Sequence, residues 1–389
     1  MASWWTMRIA LNAQLISAQA GYRGAGVSNY SRQLCRALGE LGRTGATRHD
    51  FAAFAHVDDL AAPGLHVHRS PRLLENPLAR IAWEQTVLPG LLARGRFDLV
   101  HGLVNMLPLT APVTGVVTVH DLSFVRAPGR LPPVKQLYQQ ALTRWSVGRA
   151  GAVIAVSQQT AADVVACFGA APDRVHVVYN GVGDEFTPGD AAATAHFRRA
   201  HALPERFVLA VGTLEPRKNL PRLVRAFARW RCQAPPAYQD VHLVLAGGRG
   251  WGYDAIFAEV QATGLQDVVH FPGFVPHAEL ADWYRAALVF AYPSLFEGFG
   301  LPVVEAMACG APVLCSQAPG VAEVAGAAAL TVPPEDDVAL AHGLRLLVEQ
   351  SALRQELGRR GLARAAQFSW RRCAAATVSI YDRVLRTAG

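Results

Sequence analysis

The sequence predicts an α/β protein of two doubly wound domains in series, facing a central cleft. Three observations lead there. Short β-rich runs alternate with amphipathic helical stretches, the pattern of a parallel sheet covered by helices on both faces. That pattern runs through one strand set, pauses in an irregular segment, and restarts. The chain has 389 residues and 51% hydrophobic content, too long for one ordinary core and apolar enough to fill two.

In the first half the strands are expected at MRIALNAQ (from Met7), DFAAFA (from Asp50), FDLVHGL (from Phe97), GVVTVHDL (from Gly115), GAVIAVS (from Gly151) and VHVVYNGV (from Val175). SNYSRQLCRALGELG, with Ser28 as its cap and Leu34, Ala37 and Leu38 along one face, reads as a helix. Residues 181–194, GVGDEFTPGDAAAT, carry Gly, Asp and Pro without sustained periodicity and read as the linker. The second strand set is RFVLAVGTL, VHLVLAGG, VVHFPGF, LVFAYPS, APVLCS and AALTVPP, separated by helices such as LPRLVRAFARW and VALAHGLRLLVEQ. Two such domains place the carboxyl ends of two parallel sheets at one cleft, where ligands of these folds bind.

Composition removes several classes. The longest uncharged apolar stretch, from Leu103, is broken by Pro108, Pro112 and Gly115, and a spanning helix needs ~20 predominantly apolar residues, so no transmembrane segment is expected. MASWWT lacks the apolar core and cleavage site of a secretory signal, and the fold is expected to begin near Met7. The six cysteines are scattered, with no C-x-x-C pair and no clustered His; they read as reduced, cytoplasmic and mostly buried, and neither a metal nor a cofactor is expected. Residues 1–185 carry 17 basic and 12 acidic side chains, a balance of +5, against 20 and 18, or +2, over the remainder. This dispersed excess reads as ordinary surface charge or as an attraction to an anionic partner such as a phospholipid surface or a lipid-linked phosphate. Nucleic acid is not expected as a partner, since no helix-turn-helix, zinc-finger or aromatic–basic ribonucleoprotein signature accompanies the charge.

The chemistry concentrates in EGFGLPVVEAMACGAPVLCS, residues 297–316. A strand ending at Tyr292 leads into a loop whose Gly298 and Gly300 permit positive φ or close backbone approach. Pro302 suits a first helical turn, and the free N–H groups of that helix make a site for phosphate oxygens. Glu297 sits at the helix mouth and Glu305 about one turn inside. Carboxylates accept hydrogen bonds from hydroxyls and repel phosphate, so the pair suits the sugars on either side of a diphosphate. The bland alternative is two solvated acids favoured by the helix dipole.

E-G-F-G-L-P-x-x-E-A-M-A-x-G-x-P-V resembles the Glu-x7-Glu signature of retaining, nucleotide-sugar-dependent glycosyltransferases of the GT-B fold (glycosyl transferases group 1), and bacterial polysaccharide mannosyltransferases in particular. The likeness runs over almost the whole chain from Met7. It implies an α/β GT-B fold of two Rossmann-like domains: 7–185 for the acceptor, 186–370 for the nucleotide sugar, and a terminal helix, 371–389, crossing back to the first. It implies that Glu297 contacts hydroxyls of the donor sugar, that Glu305 holds the ribose, and that Gly298, Phe299, Gly300 and Leu301 line the donor site.

In AVGTLEPRKNL, Lys218 matches the family lysine, placed to neutralise charge on a departing diphosphate. Many members carry an arginine directly after the strand glycine; here that position is Thr213, and Arg217 is the substitute cation. GYRGAGVSNY resembles the N-terminal glycine loop that approaches the diphosphate, through Gly24 and Gly26. TVHDLSF resembles the loop that brings His120 near the reacting centre. Asp121 stays ambiguous, and His101 either supports or lines the site. FPGFVP lies where the family brackets the nucleobase, with Gly273, Phe274 and Val275 as candidates.

The expected partners are a nucleoside diphosphate sugar, with GDP-mannose as the first guess, and a glycan or lipid-linked acceptor. An anionic membrane surface is the further expected partner, which makes the protein cytoplasmic with peripheral attachment at the inner face. A GT-B nucleotide-sugar epimerase and a catalytically silent sugar-nucleotide-binding subunit are the alternatives.

Overall fold

Strand β1 (Arg8–Asn12) lies inside the first sheet, paired in parallel on both sides. The sheet continues with β2 (Asp50–Ala55), β3 (Leu65–Arg69), β4 (Leu99–Gly102), β5 (Thr114–Val119), β6 (Ala152–Ala155) and β7 (Val175–Val177), in the order β3-β2-β1-β4-β5-β6-β7. Every pairing in it is parallel. Its helices are α1 (Val27–Arg43), α2 (Pro77–Arg94), α3 (Ser123–Arg126), α4 (Pro133–Arg149) and α5 (Gln158–Phe168). This computed structural model describes residues 6–17, 26–126 and 133–388.

The second sheet is also wholly parallel: β8 (Phe207–Val211), β9 (His242–Ala246), β10 (Val269–Gly273), β11 (Val289–Tyr292), β12 (Val313–Ser316) and β13 (Leu330–Val332), in the order β10-β9-β8-β11-β12-β13. Around it lie α6 (Ala191–Ala200), α7 (Leu220–Gln233), α8 (Asp254–Ala262), α9 (Leu280–Ala286), α10 (Leu301–Ala308), α11 (Pro319–Ala325), α12 (Asp337–Glu349) and α13 (Ser351–Ala365). The last helix, α14 (Trp370–Ala388), packs on α1. The chain divides into two units, one holding the residues up to Gly181 with Ser369 onward, the other Val182–Phe368.

Each unit is cored by the strands' apolar runs: Phe54, Val100, Val117 and Val153 in the first, and Leu209, Leu245, Phe290 and Leu314 in the second are all buried. Both sheets reverse their winding beside their first strand, between β1 and β4 and between β8 and β11. The loops leaving those strands diverge to opposite faces and leave a crevice at the carboxyl edge, where doubly wound folds bind ligands.

Three features depart from the sequence reading. Strand β3, LHVHR, lies at the sheet edge with only Leu65 buried, so its composition carries no apolar run to announce it. Ser28 is not the cap of α1. Gly26 occupies that position at φ +52°, a conformation favouring glycine, and the Ser28 hydroxyl accepts from the Ser17 N–H at 3.0 Å. The segment read as linker is partly helical, since α6 starts at Ala191 behind an Asp190 cap. Among the described residues no helix is long and apolar enough to cross a membrane.

Candidate functional site

In the second unit the switch point lies between β8 and β11, and the loops leaving these two strands carry the charged residues of the site. Gly212 follows β8 with φ +147°, and a Cβ there would meet Lys218 Cε at 3.1 Å. Glycine therefore leaves the lane through which the lysine stem passes. The turn Pro216–Lys218 then presents Arg217 and Lys218, and Asn219, held at φ +58°, starts α7. The Asn219 amide donates to the carbonyls of Pro293 (3.1 Å) and Pro334 (2.7 Å), tying this turn to the loops after β11 and β13.

From β11 the chain passes Tyr292 and reaches Glu297. Lys218 Nζ donates to Glu297 Oε1 at 2.7 Å and to the Tyr292 hydroxyl at 2.7 Å, and that hydroxyl donates to the same carboxylate oxygen at 2.9 Å. Arg217 pairs with the other oxygen of Glu297 and, at 2.9 Å, with Glu215. Burial pushes the Glu297 carboxyl up, but Arg217 and Lys218, with the Tyr292 hydrogen bond, pull it further down, to about 2. Burial draws the Lys218 ammonium down, against the opposing pull of Glu297. The result is an ionised carboxylate between two cations, a site that can meet a sugar hydroxyl and an anionic leaving group side by side.

Helix α10 opens just beyond, capped by Gly300 at φ +94° with Pro302 in its first turn. The preceding backbone is pinned from outside: a Cβ on Gly320, at the start of α11, would lie 2.3 Å from the Glu297 carbonyl oxygen. Glu305 is buried inside α10 and accepts from the Tyr284 hydroxyl at 2.9 Å. Burial raises the Glu305 carboxyl, with His277 and Tyr284 countering it.

The remaining donor-side candidates fall in varied places. Thr213 follows Gly212 and is half-buried. Gly273 ends β10 at φ +84°, Phe274 is 40% exposed and Val275 is buried. The Phe299 ring is buried edge-on against Phe368, with centroids 5.7 Å apart, so only its backbone remains for a ligand. Gly298 is buried and Leu301 half-buried.

In the first unit, His120 follows β5, and its Nε2 lies 2.8 Å from the Leu103 carbonyl oxygen. A carbonyl only accepts, so Nε2 carries the proton and Nδ1 is the acceptor. Burial lowers the His120 pKa against Leu103 and Asp121, leaving the ring neutral at pH 7. Tyr30 packs edge-on against it with centroids 4.4 Å apart. His101 is fully buried, bonded to Tyr381 (2.6 Å) and Thr118 (2.8 Å), and burial lowers it to about 3: it supports this end of the sheet and does not line it. Asp121 caps its own turn, accepting from the Ser123 N–H at 2.8 Å. Gly26 starts α1, while Gly24 lies outside the described residues.

Sequence reasoning missed Tyr292 and Tyr284, the phenols that hold Glu297 and Glu305. Tyr292 stood at a strand end five residues before Glu297, a readable position, whereas nothing in the sequence linked Tyr284 to Glu305. Among the described residues no group of three or more His, Cys, Asp or Glu is placed to hold a metal.

Two parallel, doubly wound sheets with an acid–cation cluster at the second switch point define a GT-B glycosyltransferase. The chain belongs to the glycosyl transferases group 1, whose profile matches residues 193–364, while that of glycosyltransferase family 4 matches residues 24–186. It is 33% identical to O-antigen chain mannosyltransferase B of Escherichia coli over 68% of this chain and 69% of that protein. It is 30% identical to an MMP alpha-(1->4)-mannosyltransferase of Mycolicibacterium hassiacum over 97% of this chain and 98% of that one. Sucrose-phosphate synthase from Thermosynechococcus elongatus superposes with a TM-score of 0.79 at 26% identity, covering 98% of this chain and all, 100%, of the other.

Proposed function

We propose that the protein is a retaining hexosyltransferase that moves mannose from GDP-mannose to a glycan or lipid-linked acceptor in polysaccharide or glycoconjugate assembly. Residues 186–370 take the donor and residues 7–185 the acceptor. Glu297 orients the transferred sugar, Glu305 holds the ribose, and Lys218 and Arg217 steady the diphosphate with the amides from Gly298 to Leu301. Thr213, Gly273, Phe274 and Val275 complete the donor site, with Gly24 and Gly26 approaching the diphosphate and His120 near the reacting carbon. The bond from the anomeric carbon to the diphosphate breaks while the acceptor oxygen attacks the same face, and the departing diphosphate takes the acceptor's proton.

The observation that carries this reading is the buried Lys218–Glu297–Arg217 cluster at the switch point of the second sheet. The mannosyl donor is supported by relatives named as mannosyltransferases. Peripheral membrane attachment is supported by the positive excess of the first half and by Leu73, Leu78, Val134 and Leu137, all at least 69% exposed.

A thermal-shift panel of nucleoside diphosphates and their sugars, followed by turnover with and without an acceptor, tests the proposal. Stabilisation by GDP and GDP-mannose and acceptor-dependent release of GDP is the expected result. Release of an isomerised donor without acceptor would instead identify an epimerase, and binding without turnover a silent subunit.

A further inference from the structure

Asn12 closes β1 at the carboxyl edge of the first sheet, beside β4, where the winding reverses. Its Nδ2 donates to Glu84 Oε1 of α2 at 3.1 Å, and Glu84 is only 8% exposed. The other amide atom, Asn12 Oδ1, is buried without a hydrogen-bond partner, and so is the hydroxyl of Tyr138 on α4. These three side chains come from three elements that share one end of one sheet. Glu84 bears electrostatically on the Tyr138 phenol, and Arg80, one turn earlier on α2, bears on both. Burial raises the Glu84 carboxyl, while Arg80 and Asn12 draw it back.

A network that exists only to hold a fold pairs its members, because an unpaired buried polar group costs stability. Here an unpaired acceptor, Asn12 Oδ1, and an unpaired hydroxyl, Tyr138, accompany a carboxylate at the edge where such sheets bind ligands. Asn12 and Tyr138 are each half-buried, with the unpaired polar atom on the enclosed side. We propose that Asn12, Glu84 and Tyr138 form the acceptor-recognition subsite and that it reads the hydroxyls of an uncharged sugar ring. One sugar hydroxyl donates to Asn12 Oδ1, a neighbouring one exchanges a hydrogen bond with Tyr138, and Glu84 accepts from either. A phosphorylated acceptor is disfavoured because the buried Glu84 carboxylate would repel its charge. The inference rests on the glycosyl-transfer reading above.

The test uses full-length enzyme, GDP-mannose as donor, p-nitrophenyl α-mannopyranoside as the uncharged acceptor probe and inositol 3-phosphate as the anionic one. Donor hydrolysis without acceptor and GDP affinity serve as internal controls. Glu84→Gln and Tyr138→Phe should each raise KM for the mannoside roughly tenfold or more, with hydrolysis and GDP affinity unchanged within about twofold. Tyr138→Phe also removes an unpaired buried hydroxyl, so its Tm should hold or rise while acceptor use falls, which a purely structural role would not produce. Mannoside KM values within about twofold of wild type for both variants overturn the subsite, as does a wild-type preference for inositol 3-phosphate that Glu84→Gln leaves intact. A wild-type enzyme that turns over no nucleoside diphosphate sugar at all fails at the earlier step and refutes the transfer reading itself.

Discussion

Lys218 Nζ and Glu297 Oε1 lie 2.7 Å apart although 79 positions separate them in the chain. The lysine proposed to steady a leaving diphosphate is therefore bonded to the carboxylate proposed to hold the transferred sugar. An arriving diphosphate meets cations already compensated by Glu297, and the carboxylate is held in one orientation before any sugar reaches it. Such preorganisation lowers the reorganisation needed at the moment of reaction.

Removing the lysine should separate binding from chemistry. Lys218→Ala leaves Glu297 with Arg217 and Tyr292, so the carboxylate stays paired while the leaving group loses a cation. We expect kcat to fall by ~100- to 1,000-fold. Steady-state rates with a saturating donor check this, and a kcat within a few-fold of wild type would show that Lys218 has no part in the chemistry.

The two glutamates should fail differently. Glu305→Ala should weaken both the free nucleoside diphosphate and the full donor by roughly ten- to hundredfold, since both contain ribose. Glu297→Ala should not weaken diphosphate binding, since it releases Lys218 and Arg217 from their ion pairs, while transfer collapses because a misoriented sugar forfeits the positioning contribution. Calorimetric titration beside turnover decides it; equal losses of diphosphate affinity in both variants would refute this division of roles.

Tyr284 gives a pH test of the same site. Its hydroxyl stabilises the ionised Glu305, whose carboxyl burial has already raised. In Tyr284→Phe the carboxyl should rise further, so nucleoside diphosphate affinity should begin its acid-side decline at higher pH than in wild type. Titrations from pH 8 to pH 5 measure this, and superimposable profiles would remove Tyr284 from the account.

His101 should make the first unit acid-sensitive. Its folded-state pKa is depressed to about 3 from the ordinary 6.5. Its contribution is therefore intact above pH ~6.5 and is lost progressively as pH falls toward about 3, because the unfolded chain takes up the proton first. One proton of difference gives a slope of about 1.4 kcal/mol per pH unit within that window. Denaturant unfolding at pH 7, 6 and 5 reads the slope, and His101→Gln should flatten it; an unchanged slope in that variant would assign the acid sensitivity elsewhere.

Membrane attachment should be electrostatic first. Sedimentation with anionic vesicles at low salt should capture the protein, and release should follow as salt shortens the screening length. Leu78→Ser with Leu137→Ser should weaken capture at fixed charge. Equal, negligible binding to anionic and neutral vesicles would refute the proposal.

The alternation of apolar runs and helical periods was sufficient to specify two doubly wound α/β units, because both faces of a parallel strand are buried and its composition shows it. Strand β3 escaped for the converse reason: at an edge, with one buried residue, LHVHR has nothing to signal. The spacing of Glu297 and Glu305 was equally plain, since both lie on one loop and one helix. Their surroundings were not. Tyr284 reaches Glu305 only because α9 packs on α10, and Lys218 reaches Glu297 only because β8 and β11 are neighbours in the sheet. Asn12, Glu84 and Tyr138 carried no motif at all, and the fold alone assembled them at one sheet end. Local sequence sets which residues favour helix, strand or turn; the partners that decide a carboxylate's charge come from strand order, which arises when distant segments bury their apolar faces together.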